Sequence, residues 1–183
     1  KYIGGHSDVV AGVVTGSKKL INRIFDHEFM NIGASLSPHS AWLLIRGLRT
    51  MPLRIQHSFK GAEKVTAWLQ QHPAIDKLIW PFSDDFKQSE LAHLQMQGCG
   101  GLFSFTLKNS SLEKIETFCD RLQHILMAVS WGGHESLIIP TIATIAKEDY
   151  AVNNERHQLI RMYVGLEEAD YLIKDLEQAL TEL

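Results

Sequence analysis

Lys1 leads a pattern of residues suited to covalent chemistry, the run Lys-Tyr-Ile-Gly-Gly-His-Ser-Asp-Val-Val-Ala-Gly. A lysine amine can form a Schiff base with a carbonyl cofactor. The small residues that follow allow the backbone to pass close to a bulky ligand. The pattern is typical of a lysine that is held in a binding site.

A second group of reactive side chains occurs in residues 130–137, which read Ser-Trp-Gly-Gly-His-Glu-Ser-Leu. Hydroxyl, indole, imidazole and carboxylate groups are gathered there around two adjacent glycines, where a predicted strand passes into a loop. Taken alone, this segment also fits a polar turn with no further role.

Arg161 occurs in a strand predicted over residues 159–164. Alternation along a strand places Ile160 and Met162 on one face and Arg161 with Tyr163 on the other, away from the core. A guanidinium group can bind both oxygens of an amino-acid carboxylate at once. An isolated arginine in this position is also compatible with a surface salt bridge.

Composition excludes several classes of function. The net charge of −3, with both signs interspersed, gives no electrostatic footprint for nucleic acid or an anionic membrane. Cys99, Cys119 and the nine histidines lack metal-ligand spacing, so we expect no metal site, structural cysteines and a reducing compartment such as the cytoplasm. No apolar run reaches the roughly 18 residues of a membrane span. The sequence contains no Gly-x-Ser-x-Gly pattern, the motif that would indicate a serine hydrolase.

The elements that must position these residues alternate along the chain. We expect a buried strand over residues 8–15, a helix over 18–25 capped by Ser17, and a helix that begins at Ser37-Pro38 and ends near 47–50. A further helix is predicted over 53–71 after Pro52. Beyond it we predict strands at 75–80, 101–107, 126–129 and 159–164, and helices at 86–97, 111–123 and 167–183. Ser110 with Glu113 has the spacing of a capping box for the helix at 111–123. This order predicts a small α+β domain with a largely antiparallel sheet covered by helices on one face, and a domain boundary close to Pro52.

These motifs resemble those of the Cys/Met metabolism enzymes, the pyridoxal-phosphate-dependent family of cystathionine synthases, cystathionine lyases and methionine lyase. Lys1 opens a run similar to the family's lysine segment, and residues 130–137 resemble its Ser-Leu-Gly-Gly-x-Glu-Ser-Leu signature. Arg161 occurs in a similar Leu-x-Arg-x-x-x-Gly-Leu-Glu context. Residues 43–50 match a further run, Arg-Gly-Leu-Arg-Thr, to which we assign a packing role. The resemblance covers essentially the whole chain in the same order.

The resemblance implies a fold and a set of roles. It implies an α/β enzyme of fold type I, the aspartate aminotransferase-like class, with residues 1–52 ending the large cofactor-binding domain and 53–183 forming the small C-terminal domain. Pyridoxal phosphate is expected as a Schiff base on Lys1, which is then both cofactor-binding and catalytic. Ser130, Trp131 and Arg161 are expected to bind the substrate. The implied assembly is a homotetramer built from dimers.

The resemblance also implies cleavage of a carbon–sulfur bond in a small sulfur amino acid. Trp131 occupies a position at which the resemblance is to cystathionine β-lyases. Val129 points the same way, because typical γ-lyases and γ-synthases have glutamate at its position. We therefore expect β-elimination of cystathionine. Methionine γ-lyase and cystathionine γ-synthase or γ-lyase stay open as alternatives, since residues 33–39 resemble methionine γ-lyase and Phe29 occupies a tyrosine position of β-lyases.

One alternative comes from a different class. Members of the family are about twice as long and place the cofactor-binding half before the lysine, so we expect the chain to be the second part of a larger polypeptide. Alone, it would be a non-catalytic assembly domain in which Lys1 is an unrestrained chain end.

Overall fold

The computed structural model describes residues 1–33 and 35–181, in an order that begins with helices and continues into a sheet. The first helical stretch consists of α1 (Lys18–Arg23), a π-helical turn (Ile24–Phe29) and α2 (Met30–Ile32). Two longer helices follow, α3 (Pro38–Leu48) and α4 (Met51–Gln71). The strands are β1 (Ile75–Ile79), β2 (Leu102–Leu107), β3 (Leu126–Met127), β4 (Leu137–Pro140) and β5 (Ile160–Tyr163). The remaining helices are α5 (Ser89–Gln95), α6 (Leu112–Arg121) and α7 (Ala169–Leu180).

Serine side chains begin two of the early helices, as the sequence predicts. Ser17 accepts a hydrogen bond from the backbone N–H three residues on, at 3.3 Å, and Ser37 does the same at 3.1 Å. The first helical stretch continues past residue 25, where we expected its end, and stops before Gly33 at a left-handed φ of 68°. Pro52 lies in the first turn of α4, where its missing N–H costs nothing, so this helix begins slightly earlier than predicted.

The sheet has five strands in the order β1-β2-β5-β4-β3. Its first three pairings are antiparallel and only β3 pairs parallel with β4, which confirms the largely antiparallel sheet. On β5, Arg161 stands opposite Ser104 of β2 on one side and Ile139 of β4 on the other. These three residues therefore share one face of the sheet.

Helices α4, α6 and α7 cover the opposite face and enclose the core. Ala62, Val65 and Leu69 of α4 are fully buried, and so is Leu176 of α7, as the helical periodicity predicts. From the sheet, alternate residues of three strands enter the same core: Phe103, Phe105, Ile138, Ile160 and Met162. Arg161 is consequently held on the side of the sheet that the helices leave open.

One predicted strand is wrong. Residues 8–15 form no strand, and Val10, Val13 and Val14 are 100, 64 and 65% exposed. The β-branched composition favours an extended backbone, but a strand also needs a neighbouring strand to supply hydrogen bonds. The described residues place no such neighbour beside this segment.

Two local features of the sheet domain also differ from the predictions. Strand β4 was not predicted, because its run Leu-Ile-Ile-Pro is short and ends in proline. The cap of α6 is Ser111, whose side chain accepts from the Lys114 N–H, whereas Ser110 donates to the Leu107 carbonyl oxygen. The capping box predicted at Ser110 is therefore wrong by one residue.

Helix α7 ends at Leu180, and the last two residues of the predicted helix at 167–183 lie outside the described residues. Among the residues that the structure describes, no helix combines the length and apolarity needed to cross a bilayer. The domain boundary at Pro52 stays a prediction.

Candidate functional site

Residues 1–7, the lysine loop, form a tight turn that is fastened to helices α3 and α4. The Gly5 N–H donates to the Lys1 carbonyl oxygen at 2.7 Å, and Arg54 donates to the carbonyl oxygens of Tyr2 and Ile3 at 2.9 and 3.2 Å. Gly5 has a φ of 77°, and a Cβ there would lie 2.0 Å from the Arg54 guanidinium. Gly5 therefore allows close packing of the loop against Arg54, a role that the sequence analysis did not identify.

Helix α3 approaches the lysine loop just as closely. A Cβ on Gly47 would lie 2.4 Å from the carbonyl oxygens of both Ile3 and Gly4. Gly47 belongs to the run at residues 43–50, so this contact agrees with the packing role assigned to that run. His6, which could have faced a ligand, donates from Nδ1 to the Gly4 carbonyl oxygen at 2.8 Å and thereby stabilises the loop.

The side chain of Lys1 is held by a carboxylate. Its Nζ donates to Glu135 Oε1 at 2.7 Å, and Ser7 Oγ donates to the same oxygen at 2.6 Å. The two ion-paired side chains are only 21 and 19% exposed. Burial acts to raise the pKa of Glu135, but the hydrogen bonds from Lys1 and Ser7 outweigh it and lower the pKa to about 2. Lys1 is therefore restrained, unlike the free chain end of the non-catalytic alternative.

Residues 130–136, the serine loop, connect β3 to β4 and pack against the lysine loop. Ser130 is half-buried and has a φ of 94°, in the left-handed region that is costly for a side chain with a Cβ. Gly132 has a φ of 88°, and a Cβ there would lie 3.0 Å from the Tyr2 ring. The two loops are thus in van der Waals contact beside Lys1.

The far end of the serine loop is anchored by side chains of the sheet domain. Tyr163 donates from its hydroxyl to the Gly133 carbonyl oxygen at 3.1 Å. Glu167 accepts from the Ser136 N–H at 2.8 Å and from the Ser136 hydroxyl at 2.7 Å. These bonds fix the backbone that carries Glu135 toward Lys1.

Arg161 meets the serine loop at Trp131. The guanidinium carbon lies 5.0 Å from the centre of the Trp131 ring, a cation–π contact, and the indole is 42% exposed. Arg161 also lines an open cavity of about 280 Å³ with Ser104, Val129 and Ile139. A planar cation oriented by an aromatic ring at the wall of a cavity can bind both oxygens of a carboxylate through two parallel N–H donors.

Two of the four sequence-predicted site residues are in direct contact, Trp131 with Arg161. Lys1 reaches the serine loop through Glu135 and lines a different cavity of about 270 Å³. The structure gives neither a Lys1–Ser130 contact nor a Lys1–Arg161 contact among the described residues. Sequence reasoning missed Glu135, Ser7 and Arg54 as supports of the lysine; Glu135 was visible only as one polar residue of its motif.

The cavity beside Lys1 has one side-chain amine among its lining residues, that of Lys1, which could condense with a carbonyl-bearing cofactor. Its wall consists of glycine and apolar residues around the lysine: Ile3, Gly4, Val9, Ala11, Val13 and Leu44. A flat ring covalently linked to the lysine would contact this apolar wall, as ring ligands do in most binding sites. Lys1 is the residue that would hold the group.

Cys99 and Cys119 are both free and half-buried. Burial raises the pKa of both thiols, that of Cys119 to about 12. A raised pKa favours the protonated thiol, which is the less reactive form. The structural role of both cysteines stays a prediction.

Comparison with known proteins identifies the family. The family model described as Cys/Met metabolism PLP-dependent enzyme matches residues 1–181. The chain belongs to this family. Cys/Met metabolism enzymes of this family depend on pyridoxal phosphate, which agrees with the cofactor expected on Lys1.

Individual relatives from the family carry different names. The chain is 36% identical to an L-methionine gamma-lyase of Treponema denticola, over 100% of the chain and 47% of that protein. It is 40% identical to a cystathionine gamma-lyase of Bacillus subtilis, over 100% and 49%, and 35% identical to a cystathionine beta-lyase of Lactococcus lactis, over 98% and 48%. The chain therefore spans just under half the length of each of these relatives.

Proposed function

We propose that this protein is a carbon–sulfur lyase that uses pyridoxal phosphate to cleave cystathionine by β-elimination. The Cβ–S bond breaks and the thiol leaves as homocysteine, while the remainder takes up one water and becomes pyruvate and ammonia. The observation that carries the choice of β-elimination is the position of Val129. It lines the same cavity as Arg161 and is 65% exposed.

The roles of the side chains follow from their chemistry. Pyridoxal phosphate, when bound, supplies an electron sink for the carbon that loses its proton. Lys1 would hold the cofactor through its side-chain amine, and the same amine, when free, would be the base that removes the α-proton of the substrate. Arg161, oriented by Trp131, binds the substrate carboxylate. We propose that the Ser130 hydroxyl helps to hold the same carboxylate and the Lys1 amine.

Val129 supports β-elimination because it lacks the carboxylate that a glutamate would supply at this position. The residues around Arg161 in its cavity are apolar or neutral and offer no carboxylate: Ser104, Val129, Ile139, Pro140, Thr141, Thr144 and Leu159. Cystathionine carries an ammonium group at its far end whichever carbon–sulfur bond breaks, and this cavity offers no carboxylate that would hold that end for cleavage at the γ carbon. A glutamate at residue 129 would supply one and would hold a γ-substituted substrate for cleavage further along its chain.

A γ-specific activity is the second candidate function, and the names of most of the relatives above support it. Two of the three relatives above are named gamma-lyases, and their identities to this chain are similar to that of the beta-lyase. Methionine γ-lyase and cystathionine γ-lyase or γ-synthase are therefore the alternatives that an assay must separate.

The keto acid released from cystathionine separates them. The full-length protein with pyridoxal phosphate is expected to release pyruvate, and release of 2-oxobutyrate would contradict β-elimination. Val129→Glu is expected to lower the pyruvate yield relative to 2-oxobutyrate. Val152→Glu is the matched control, because Val152 is a similarly exposed valine that lines no part of the Arg161 cavity.

The apolar surface of the first 53 residues supports a role for them inside a larger assembly. Many of its large side chains are at least 40% exposed: Val10, Val13, Val14, Leu20, Phe25, Phe29, Met30, Ile32, Leu36, Trp42, Ile45, Leu48 and Leu53. Such a concentration is typical of surface that other protein covers. We propose that residues 1–52 complete the large domain of a fold-type I enzyme and that the full-length protein is a cytoplasmic homotetramer. Its mass in solution tests the assembly, and a monomeric holoenzyme would contradict it.

A further inference from the structure

Glu135 makes the polar contacts that position the Lys1 amine. Its Oε1 accepts from Lys1 Nζ at 2.7 Å and from Ser7 Oγ at 2.6 Å. Both partners belong to the lysine loop, more than 120 residues away along the chain. Because the two charged side chains are about one-fifth exposed, this pair differs from the solvated surface pairs that contribute little.

The conformation of Glu135 is fixed by its surroundings. A Cβ on Gly133 would lie 2.4 Å from Glu135 Oε2 and 2.7 Å from Ser7 Oγ, so only glycine leaves room for this arrangement. His134 Nδ1 lies 3.1 Å from Oε2, without the geometry of a hydrogen bond. The neighbouring Ser136 is held by Glu167, so that the backbone on the C-terminal side cannot withdraw the carboxylate.

We infer that Glu135 is a positioning residue for Lys1, keeping its nitrogen directed into the site and stabilising a positive charge on it. This inference rests on the proposed function of Lys1 as the cofactor-binding lysine. A carboxylate within hydrogen-bond distance favours the protonated state of that nitrogen when the nitrogen is linked to the cofactor. Release of Lys1 by a substrate amine returns the nitrogen to the same acceptor.

Other charged and titratable groups lie on the elements around this ion pair. They are His6 and Tyr2 of the lysine loop, Arg54 of α4, His134 of the serine loop, Tyr163 of β5 and Glu167 after β5. In the described residues, Glu135 is the group that forms a direct ion pair with Lys1 Nζ.

The test uses the full-length protein with pyridoxal phosphate. Borohydride reduction followed by peptide mass spectrometry locates the cofactor, and the visible absorbance of the unreduced protein gives the pH midpoint at which the Lys1–cofactor link loses its proton. Glu135→Gln is expected to lower this midpoint by about one pH unit, a tenfold loss of proton affinity, because a neighbouring opposite charge shifts such a group by roughly one to three units.

Glu167→Gln is the matched control, because Glu167 anchors the same loop through Ser136 without touching Lys1. Its midpoint is expected to shift much less than that of Glu135→Gln. Equal shifts in the two variants, or none in Glu135→Gln, would overturn the inference while the proposed function stands. Absence of cofactor from Lys1 after reduction would overturn the proposed function and the inference with it.

Glu135→Asp covers the case in which Glu135→Gln does not fold. The shorter carboxylate keeps the charge but withdraws it from Lys1 Nζ. The midpoint of Glu135→Asp is therefore expected below that of the unmodified protein and above that of a site without the charge. A midpoint equal to that of the unmodified protein would show that the direct contact between the residue-135 carboxylate and Lys1 Nζ has no effect, which would overturn the positioning role.

Discussion

Replacing Asp175 with asparagine should loosen the segment that leads into the serine loop. Asp175 is a buried residue of α7 whose Oδ1 accepts from the Gln123 N–H, and whose Oδ2 accepts from the His124 and Ile125 N–H groups, all at 2.9 Å. These residues directly precede β3, and β3 leads to Val129 and Ser130. A single carboxylate on α7 therefore determines where the serine loop begins.

The expected magnitude follows from the number of acceptors that asparagine retains. Its one amide oxygen can replace Oδ2 and keep two of the three backbone bonds, but its NH₂ group then faces the Gln123 N–H, donor against donor. A hydrogen bond to a charged acceptor contributes about 1.5–3 kcal/mol, and a buried unsatisfied donor costs about 1–3 kcal/mol. We expect Asp175→Asn to weaken local stability by about 2–4 kcal/mol.

Native-state hydrogen exchange measures this effect without requiring two-state unfolding of the whole protein. The peptide covering residues 122–128 should exchange about 30-fold to several hundred-fold faster, since 1.4 kcal/mol corresponds to about a tenfold change. Glu177→Gln, an exposed carboxylate on the same helix, is the control. Unchanged exchange in Asp175→Asn, or equal acceleration in Glu177→Gln, would refute the reasoning.

The pH dependence gives a second check on Asp175. Burial acts to raise its pKa, but the backbone donors of Gln123, Ile125 and His124 outweigh burial and lower it. A lowered pKa in the folded protein means that the stabilisation is fully present above the unfolded pKa of about 3.9 and is lost as the pH falls through the folded value. The difference between the two proteins should be constant near neutrality and should shrink below about pH 4.

Three further predictions concern the candidate site. Gly47→Ala introduces a Cβ 2.4 Å from two carbonyl oxygens of the lysine loop. It should lower the free energy of unfolding, measured by thermal unfolding, by about 1–3 kcal/mol and reduce the amount of bound cofactor. Gly12→Ala is the control and should have neither effect, because a Cβ there meets nothing within 4 Å. Trp131→Leu removes the cation–π partner of Arg161, so it should raise KM for the amino-acid substrate about 2- to 30-fold, and an unchanged KM would separate Trp131 from carboxylate binding. Glu135 has a pKa lowered from 4.5 to about 2, so its stabilisation of the lysine loop should be complete above pH 4.5 and vanish toward pH 2. Residues 1–7 should therefore exchange more slowly than in Glu135→Gln above pH 4.5, and this difference should disappear toward pH 2.

The sheet domain could be predicted well from the sequence because its signals are local. Helical periodicity in α4 and α7 identifies the faces that enter the core, and alternation in β5 separates Arg161 from Ile160 and Met162. Strand β4 escaped prediction because four residues ending in proline carry little periodic signal. Its place in the sheet comes from antiparallel pairing with β5, a long-range contact.

The error at residues 8–15 has a different physical origin. A run of valines lowers the cost of an extended backbone, but the stability of a strand comes from ladder hydrogen bonds and from packing of both faces. Neither is available to this segment from the described residues, and Val10 is fully exposed. Composition therefore predicted an extended backbone but carried no information about a neighbouring strand.

The pairing of Lys1 with Glu135 was also beyond local sequence signals, since 134 positions separate the two residues. Their motifs each indicated reactive groups, but which group faces which depends on the crossing of two loops. Arg54 and Gly47 set that crossing by packing against the lysine loop. Neither residue has a type or spacing that identifies this role.

Ser130 shows why the loop needs support from outside the motif. A serine held at a φ of 94° costs on the order of 1–3 kcal/mol, so the conformation persists only where its surroundings determine it. The Tyr163 hydroxyl fixes Gly133 and Glu167 fixes Ser136, both within six residues of the strained position. The motif therefore specifies the reactive groups, while Tyr163 of β5 and Glu167 in the segment after β5 hold the backbone in the conformation that presents them.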